Sequence, residues 1–398
     1  MTNTPNASNT SPRLHHIDSL RAYAILMMLQ GHFIYSLLDP VYRDPEHPVY
    51  NTWMLNKGFT APIFFTVTGL VLVYLLVRKD DLAYRQKRIK KTIRRGFSLI
   101  LWGYLLRTNI YSLLTLNFRP SFWKVDVLHC IGLGLLAVAG LYWMVKKLPI
   151  QAFQWSLLVL GVLIFTFEPM YADLTYESLP VFISNYLTKA NGSVFTPFPW
   201  IGYTLLGGFI GVVYKTQYHK KWLGQPYIAF AMIAAGLLIS MKSSLVLMVL
   251  YGLTDIELFK AIAWNNYLFI RFGHVLIFFA VFLLFEKQLA KLSLFNIIGQ
   301  STLNIYIVHY MLLYGSFTGV SLYYFFAKSL APMDVIIGAL LFMIASVLLA
   351  LKIPPAKEYI KSRKPAIFIA EKLQLLKIWL LDVVQTINFL KKSTEKSD

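Results

Sequence analysis

The sequence predicts an all-α, polytopic integral membrane protein, a helical bundle of about ten transmembrane helices. Of its 398 residues, 57% are hydrophobic and 14% are charged, and the mean hydropathy is +0.56. Soluble globular domains carry about 25% charged residues, so this composition lies outside their usual range. Apolar runs long enough to cross a bilayer also recur along the chain. Lipid is therefore the expected solvent of the folded protein.

Ten apolar runs are long enough to cross the roughly 30 Å hydrocarbon core of a bilayer. They lie at 17–39, 59–77, 97–117, 126–145, 152–169, 198–214, 225–242, 268–286, 300–318 and 333–352. The first run is not a cleavable signal sequence, because Asp18 and Arg21 stand inside its start and no small-residue cleavage pattern follows it. We expect the ten runs to form one transmembrane domain over residues 13–353.

The segment 78–95 orients this bundle. It is expected to be a loop, and it carries nine Lys and Arg residues. Loops rich in these residues stay in the cytoplasm, so alternation places the segments 40–57, 170–197 and 318–332 outside. Lys-containing loops near residues 146, 220 and 290 then fall inside, which agrees with the same tendency. Both termini are expected in the cytoplasm.

Both ends of the chain differ in composition from the transmembrane domain. Residues 1–12 are polar and contain proline, a composition typical of a disordered tail. Residues 354–398 form a basic tail, in which the stretch 369–392 mixes apolar residues with charged ones. This pattern favours an amphipathic helix lying on the cytoplasmic leaflet over its alternative, an eleventh span.

Several classes of function are excluded by composition and motifs. The formal net charge of +19 does not indicate a nucleic acid partner, because Lys and Arg cluster in short segments between apolar runs. Cys130 is the only cysteine, so an intrachain disulfide is excluded. There is no Walker-type phosphate loop, His-Glu-x-x-His helix or Gly-x-Ser-x-Gly elbow, and no metal is expected. Gly207 and Gly211 form a Gly-xxx-Gly face that favours close helix packing over a nucleotide site.

Function is expected where ionisable side chains stand inside apolar runs, since such groups are costly in a bilayer. Asp18 and Arg21 lie three residues apart on one face of the first helix. We interpret them first as a structural ion pair at the helix end. His32 follows Arg21 by eleven residues, about 16 Å further along the helix, and is predicted to be a functional residue of the outer half.

Further ionisable residues fall in the same predicted outer half. They are His47, Asp126, His129, Arg271, His274 and His309. A single intramembrane histidine is commonly hydrogen-bonded across a helix interface, and for His129, His274 and His309 this structural role is the alternative. Their common depth favours a shared functional site.

Five segments, taken in chain order, resemble the transmembrane acyltransferases typified by heparan-alpha-glucosaminide N-acetyltransferase and its bacterial relatives. They are Ile17-Asp18-Ser19-Leu20-Arg21 with Gln30-Gly31-His32; Phe59-Thr60-Ala61-Pro62-Ile63-Phe64-Phe65 with Gly69; Val125-Asp126-Val127-Leu128-His129-Cys130-Ile131-Gly132; Phe198-Pro199-Trp200-Ile201-Gly202-Tyr203; and the run from Ile298 to His309. Together they extend over roughly residues 13–320, and none is specific alone.

The resemblance implies transfer of an acyl group, such as acetyl, from cytoplasmic acyl-CoA (acetyl-CoA) to an extracytoplasmic acceptor, an amino sugar or glycan. It implies a protein of the bacterial inner (plasma) membrane. It also implies a catalytic histidine. His47 lies in the segment between the first two helices, where the type enzyme keeps one, and His32 matches a polar position of the first helix. Ala22 departs from the family pattern, which has glycine after the arginine.

The residues themselves suit acyl transfer, because a general base with a pKa near neutrality must remove the proton of the acceptor. Arg21, Arg107 and the segment 78–95 could hold the phosphates of acyl-CoA, although topology signalling alone would also explain that segment. The developing oxyanion needs hydrogen-bond donors. Candidates for these donors are Asn51, Asn56, His129 and Asn304.

The expected partners are membrane lipids, acyl-CoA and an extracytoplasmic sugar or glycan, with a homodimer left open. One alternative function is a secondary transporter or flippase that uses the intramembrane His, Asp and Arg residues as a substrate or proton path. Another is a non-catalytic membrane scaffold. The transporter predicts activity without acyl-CoA, whereas the enzyme predicts dependence on acyl-CoA and on His32 or His47.

Overall fold

The structure is a computed structural model that describes residues 14–115, 117–118, 120–218 and 225–362. Within these ranges the chain forms eighteen α-helices and two short 3-10 turns, and no strand. The helices are α1 (His15–Leu37), α2 (Pro48–Lys57), α3 (Thr60–Val77), α4 (Leu82–Leu106), α5 (Ile110–Thr115), α6 (Val127–Val145), α7 (Ile150–Thr166), α8 (Glu168–Tyr171), α9 (Val181–Leu187), α10 (Pro197–Tyr218), α11 (Gln225–Thr254), α12 (Glu257–Trp264), α13 (Tyr267–Leu284), α14 (Glu286–Ala290), α15 (Ser293–Gln300), α16 (Thr302–Tyr314), α17 (Leu322–Phe326) and α18 (Pro332–Ser362).

Six segments of the described chain are long and apolar enough to cross a membrane. They are Pro48–Val77, Pro120–Val145, Pro197–Thr216, Pro226–Thr254, Tyr267–Leu284 and Pro332–Ile353. These six coincide with six of the ten predicted runs, and the count of about ten is not confirmed. The other four runs fold into helices that are more polar, shorter or interrupted. Polar side chains lower the hydropathy of α1, and α7 is only 17 residues long. The run 97–117 is interrupted between the end of α4 at Leu106 and the start of α5 at Ile110, and the run 300–318 starts beside the break between α15 and α16.

The segment 78–95 is mostly helical, so the prediction of a loop there was wrong. The Asp81 side chain caps α4 by accepting hydrogen bonds from the backbone N–H groups of Ala83 at 3.0 Å and Tyr84 at 3.3 Å. The buried residues of α4 recur every three or four positions and face α6. They are Thr92, Gly96, Leu99, Gly103 and Leu106. The dense positive charge on the remaining faces obscures this amphipathic pattern in the sequence.

Two other boundaries also differ from prediction. Helix α2 lies inside the segment 40–57, which was expected to be a loop. Helix α11 continues to Thr254, 12 residues beyond the predicted end at 242. The tail 1–12 and the predicted interfacial helix 369–392 lie outside the described residues.

The chain divides into two units, Met1–Val347 and Leu348–Asp398. The first unit is built around α1, which packs against α3, α13, α15 and α16. Helix α4 packs against α6, and α10 against α3, α6 and α7. Of the second unit, the structure describes only the C-terminal part of α18, and all the candidate site residues discussed below belong to the first unit.

The predicted Gly-xxx-Gly face of α10 is confirmed. A Cβ atom on Gly207 would overlap the backbone oxygen of Thr66, and one on Gly211 would lie 2.6 Å from the backbone oxygen of Leu70. Gly69 on α3 is equally close to the backbone of Thr204. The absence of side chains at these positions lets the two helices touch backbone to backbone.

We expect Gly207→Ala to destabilise the fold by about 1–3 kcal/mol, the usual effect of overpacking. Gly140→Ala is the matched control, because a Cβ there meets nothing within 4 Å and alanine favours a helix. The measurement is the free energy of unfolding of both variants in the same detergent. Equal stability of the two variants would contradict the close approach of α3 and α10.

Candidate active site

His32 lies near the C-terminal end of α1 and faces α16. Its Nδ1 atom is 3.1 Å from the hydroxyl oxygen of Tyr314, and its ring centroid is 5.5 Å from that of His309. The Ser36 hydroxyl, one turn further along α1, is also 3.1 Å from the Tyr314 hydroxyl. The tyrosine can therefore accept a hydrogen bond from His32 and donate one to Ser36, an arrangement that leaves Nε2 of His32 unprotonated.

Asp126 stands at the N-terminus of α6 and is buried. Its Oδ1 accepts a hydrogen bond from the backbone N–H of Leu128 at 3.1 Å, and it lies 3.0 Å from Nδ1 of His129. Its other oxygen, Oδ2, accepts a hydrogen bond from Nε of Arg107 at 3.2 Å. The Asp126 and Arg107 side chains are 7% and 10% exposed, so this is a buried ion pair. Asp126 is thus both the helix cap and the counter-charge of Arg107.

The histidine pair and the ion pair meet on α16. Arg107 and Asp126 both interact electrostatically with Tyr306 and Tyr310, and the ring centroid of Tyr306 is 4.8 Å from that of His309. We call this group the polar cluster. Its members are His32, Arg107, Asp126, His129, Tyr306, His309, Tyr310 and Tyr314.

A cavity of about 240 Å³ lies beside the polar cluster. Arg107, Tyr310 and Tyr314 belong to its wall, so the cluster and the cavity are continuous. Hydroxyl, amide and aromatic side chains supply most of the remaining wall. They are Thr108, Asn109, Ser112, Phe118, Ser121, Phe122 and Ser316. Such a lining can hydrogen-bond a polyhydroxylated ligand and cover its apolar faces.

A second cavity, of about 90 Å³, lies between α1, α3, α4 and α6. Four cations line it: Arg21 of α1, and Arg88, Lys91 and Arg95 on one face of α4. We call it the basic pocket. Arg21 also donates a hydrogen bond to the Thr302 hydroxyl at 2.6 Å, at the first residue of α16. Planar guanidinium groups at this density suit phosphate binding.

The basic pocket and the polar cluster lie towards opposite ends of the same two helices. On α1, His32 follows Arg21 by eleven residues, about 16 Å of helix. On α16, Tyr310 follows Thr302 by eight residues, about 12 Å. Arg107, predicted together with Arg21 to bind acyl-CoA, therefore lies in the polar cluster and away from Arg21.

Other predicted site residues stand apart from the polar cluster. His47 is exposed at the start of α2, ten residues or about 15 Å of helix from Lys57, which interacts electrostatically with His32. The ring of His274 packs on Phe59 with centroids 5.0 Å apart. Arg271 donates a hydrogen bond to the backbone oxygen of Leu55 at 3.0 Å.

The other candidates vary in their surroundings. Asp18 is buried, and its backbone oxygen is in contact with Gly299 of α15. Among the candidate oxyanion donors, Asn51 is exposed, and Asn56 donates to the backbone oxygen of Thr52 at 2.9 Å on its own helix. Asn304 is half-buried on α16. Only His129 of that set belongs to the polar cluster.

Sequence reasoning missed Lys57 and the three tyrosines of α16. The Lys57 ammonium lies 3.7 Å from the Tyr35 ring centroid and 5.4 Å from that of Trp53. Tyr306, Tyr310 and Tyr314 recur every four residues, which places them on one helix face. This spacing, together with the neighbouring His309, indicates a polar helix face inside an apolar run and could have been recognised in the sequence.

The fold and this site define a helical membrane protein with a buried polar cluster and a separate basic pocket. The chain also matches a family model described as "Heparan-alpha-glucosaminide N-acetyltransferase, catalytic" over residues 13–253, which is 241 of 398 residues. The chain belongs to this family, and the resemblance found in the sequence is confirmed. Membership indicates a membrane-bound enzyme of the acetyltransferase type. A comparison with curated proteins finds no match.

The matched region contains His32, Arg107, Asp126 and His129, whereas α16 lies beyond it. In the described part of the chain, no group of three or more His, Cys, Asp or Glu side chains is arranged to hold a metal ion.

Proposed function

We propose that this chain transfers an acyl group, acetyl in the type enzyme of the family, from acyl-CoA at the basic pocket to an amine or hydroxyl of a sugar in the polar cavity. The observation that carries the proposal is the separation of these two sites along α1 and α16. The basic pocket suits the phosphates of acyl-CoA. The polar cluster holds the proposed base, His32, against Tyr314, which lines a cavity suited to a polyhydroxylated ligand.

The proposed orientation follows the distribution of charge. Helix α4 begins in the segment with nine basic residues, which supports a cytoplasmic location for the basic pocket. The polar cluster then faces the extracytoplasmic side, and both termini are cytoplasmic. Acyl-CoA would enter from the cytoplasm, and the acceptor from the other side of the bilayer.

The basic pocket supports phosphate binding by charge-assisted hydrogen bonds from Arg21, Arg88, Lys91 and Arg95. The pantetheine arm of CoA would extend along α1 and carry the thioester towards His32. The 16 Å of helix between Arg21 and His32 are comparable with the length of that extended arm.

His32 is the proposed general base. With Nδ1–H donating to Tyr314, its Nε2 would take the proton of the acceptor as the nitrogen or oxygen attacks the thioester carbonyl. The new C–N or C–O bond forms, the C–S bond breaks, and the proton passes from His32 to the departing thiolate of CoA. Arg107 and Tyr310 line the cavity and would stabilise the negative charge that develops on the carbonyl oxygen.

The direct test is an assay with purified protein in nanodiscs, labelled acetyl-CoA and a panel of amino sugars. Formation of a labelled acetyl sugar that depends on both substrates would support the proposal. Substrate movement across vesicles without acetyl-CoA, and no acetylated product with it, would favour the transporter alternative instead.

The basic pocket offers a test with a matched control. We expect the triple variant Arg88→Ala/Lys91→Ala/Arg95→Ala to raise the Kd for acetyl-CoA by at least about 10–100-fold, since the loss of even one hydrogen bond to a charged group costs about 1.5–3 kcal/mol. The control is Lys87→Ala/Lys90→Ala/Arg94→Ala, which removes three charges at the same spacing from positions outside the pocket. Equal weakening by both triples would show that the overall positive charge, and no specific pocket, attracts the ligand.

A further inference from the structure

An apolar groove of about 410 Å³ lies on the side of the bundle between α6, α9 and α10. Its lining is hydrophobic apart from one tyrosine hydroxyl. The groove residues are Leu133, Phe182, Ile183, Tyr186, Leu187 and Phe198. Phe182 and Phe198 are half exposed, so the groove is open to the surroundings of the protein.

The groove is bordered by apolar surface that we expect to face lipid. Helices α6 and α10 belong to candidate membrane spans, and α9 presents Val181, Phe182 and Ile183 at its surface. A hydrocarbon chain could therefore enter sideways from the bilayer without crossing water. An aqueous sugar would gain nothing from such a lining, because the groove has almost no hydrogen-bonding groups.

The inner end of the groove borders the polar cluster. The Tyr186 hydroxyl is hydrogen-bonded to that of Tyr104 at 2.7 Å, and the Tyr104 ring packs on His129 with centroids 4.4 Å apart. His129 and Leu133 lie four residues apart on one face of α6, so the polar cluster and the groove are one helical turn from each other. His129 is fully buried, and within the described residues its Nε2 has no hydrogen-bond partner.

We propose that the groove holds the hydrocarbon chain of a lipid-linked acceptor, which places the sugar head group of the same molecule at the polar cluster. This inference rests on the proposed function and narrows its substrate class from sugars in general to glycolipids. An acceptor anchored in this way needs no capture from solution, since its chain already lies in the bilayer.

The test compares two acceptors with the same amino sugar, a methyl glycoside and a long-chain alkyl glycoside, in phosphatidylcholine nanodiscs. The variant Ile183→Trp fills the groove. Val181→Trp is its matched control, because Val181 lies on the same helix, is similarly exposed (54% against 41%) and does not line the groove.

We expect Ile183→Trp to lower kcat/KM for the alkyl glycoside about tenfold or more and to leave kcat/KM for the methyl glycoside unchanged. Val181→Trp should change neither value. Equal loss with both acceptors, or none with either, would overturn the inference.

A binding readout separates this inference from the proposed function. An alkyl glycoside carrying a diazirine in its chain, irradiated without acetyl-CoA, should label peptides of α6, α9 and α10, and an excess of the unlabelled glycoside should prevent this. Labelling that an excess of the unlabelled glycoside leaves unchanged would overturn the inference, because the groove would then be an ordinary lipid contact. Groove labelling without acetyl transfer to either acceptor would retain the lipid site and reject the proposed function. Acetylation of the methyl glycoside without groove labelling would support the proposed function and reject the lipid site.

Discussion

Replacement of His32 by alanine is expected to lower acyl transfer by about 10²–10⁴-fold, the usual contribution of a general base. Binding of acetyl-CoA should persist, because the basic pocket lies about 16 Å away along α1. The measurements are kcat with labelled acetyl-CoA and, separately, the Kd for acetyl-CoA. The pH–rate profile of the variant should also lose its acid limb, since no group of the variant would need to be deprotonated to accept the proton.

His47→Ala is the control for this experiment, since His47 is exposed and distant from the polar cluster. We expect its activity to be close to that of the native protein. Full activity of His32→Ala would exclude His32 as the base, and the role would then pass to His129, His309 or His274. A large loss in His47→Ala alone would place the acceptor site in the segment before α2.

The level of a residue along its helix could be predicted in part from the sequence, because it follows from counting residues. Of the residues expected at one level, His32, Asp126, His129 and His309 lie together in the structure. His47, Arg271 and His274 were expected at the same level and stand apart from them. Which helices are neighbours, and how each is rotated about its axis, depends on packing between distant residues. For this reason the pairing of Arg107 with Asp126 and the role of α16 as their common support were not predicted.

Hydropathy also failed to predict the charged first half of α4 as a helix. The first half of α4 carries most of the basic residues of the chain segment 78–95 and still forms a helix, since Thr92 and Gly96 supply a narrow buried face. The mean hydropathy over a window of consecutive residues does not reveal such a narrow face. The predicted run 300–318 includes the end of α15 and the start of α16, and the helix is broken at Ser301 between them.

The buried Asp126–Arg107 pair predicts the largest effect on stability. Removal of one partner leaves the other charge buried without compensation, so Asp126→Leu should lower the free energy of unfolding by about 3–5 kcal/mol. The double variant Asp126→Leu/Arg107→Met should recover much of this loss, because an apolar pair of similar volume often replaces a buried ion pair with little change in stability.

The control is Asp80→Ala, which removes the partner of Arg85 in an ion pair whose Asp80 side chain is 78% exposed. Solvent screening limits such a pair to about 0–1 kcal/mol. The free energy of unfolding of all three variants should be measured in one detergent at one ionic strength. If Asp126→Leu changed stability no more than Asp80→Ala, the charge on Asp126 would not be needed to hold Arg107. If the double variant folded well but showed no acyl transfer, the pair would serve the chemistry of the polar cavity beyond its structural role.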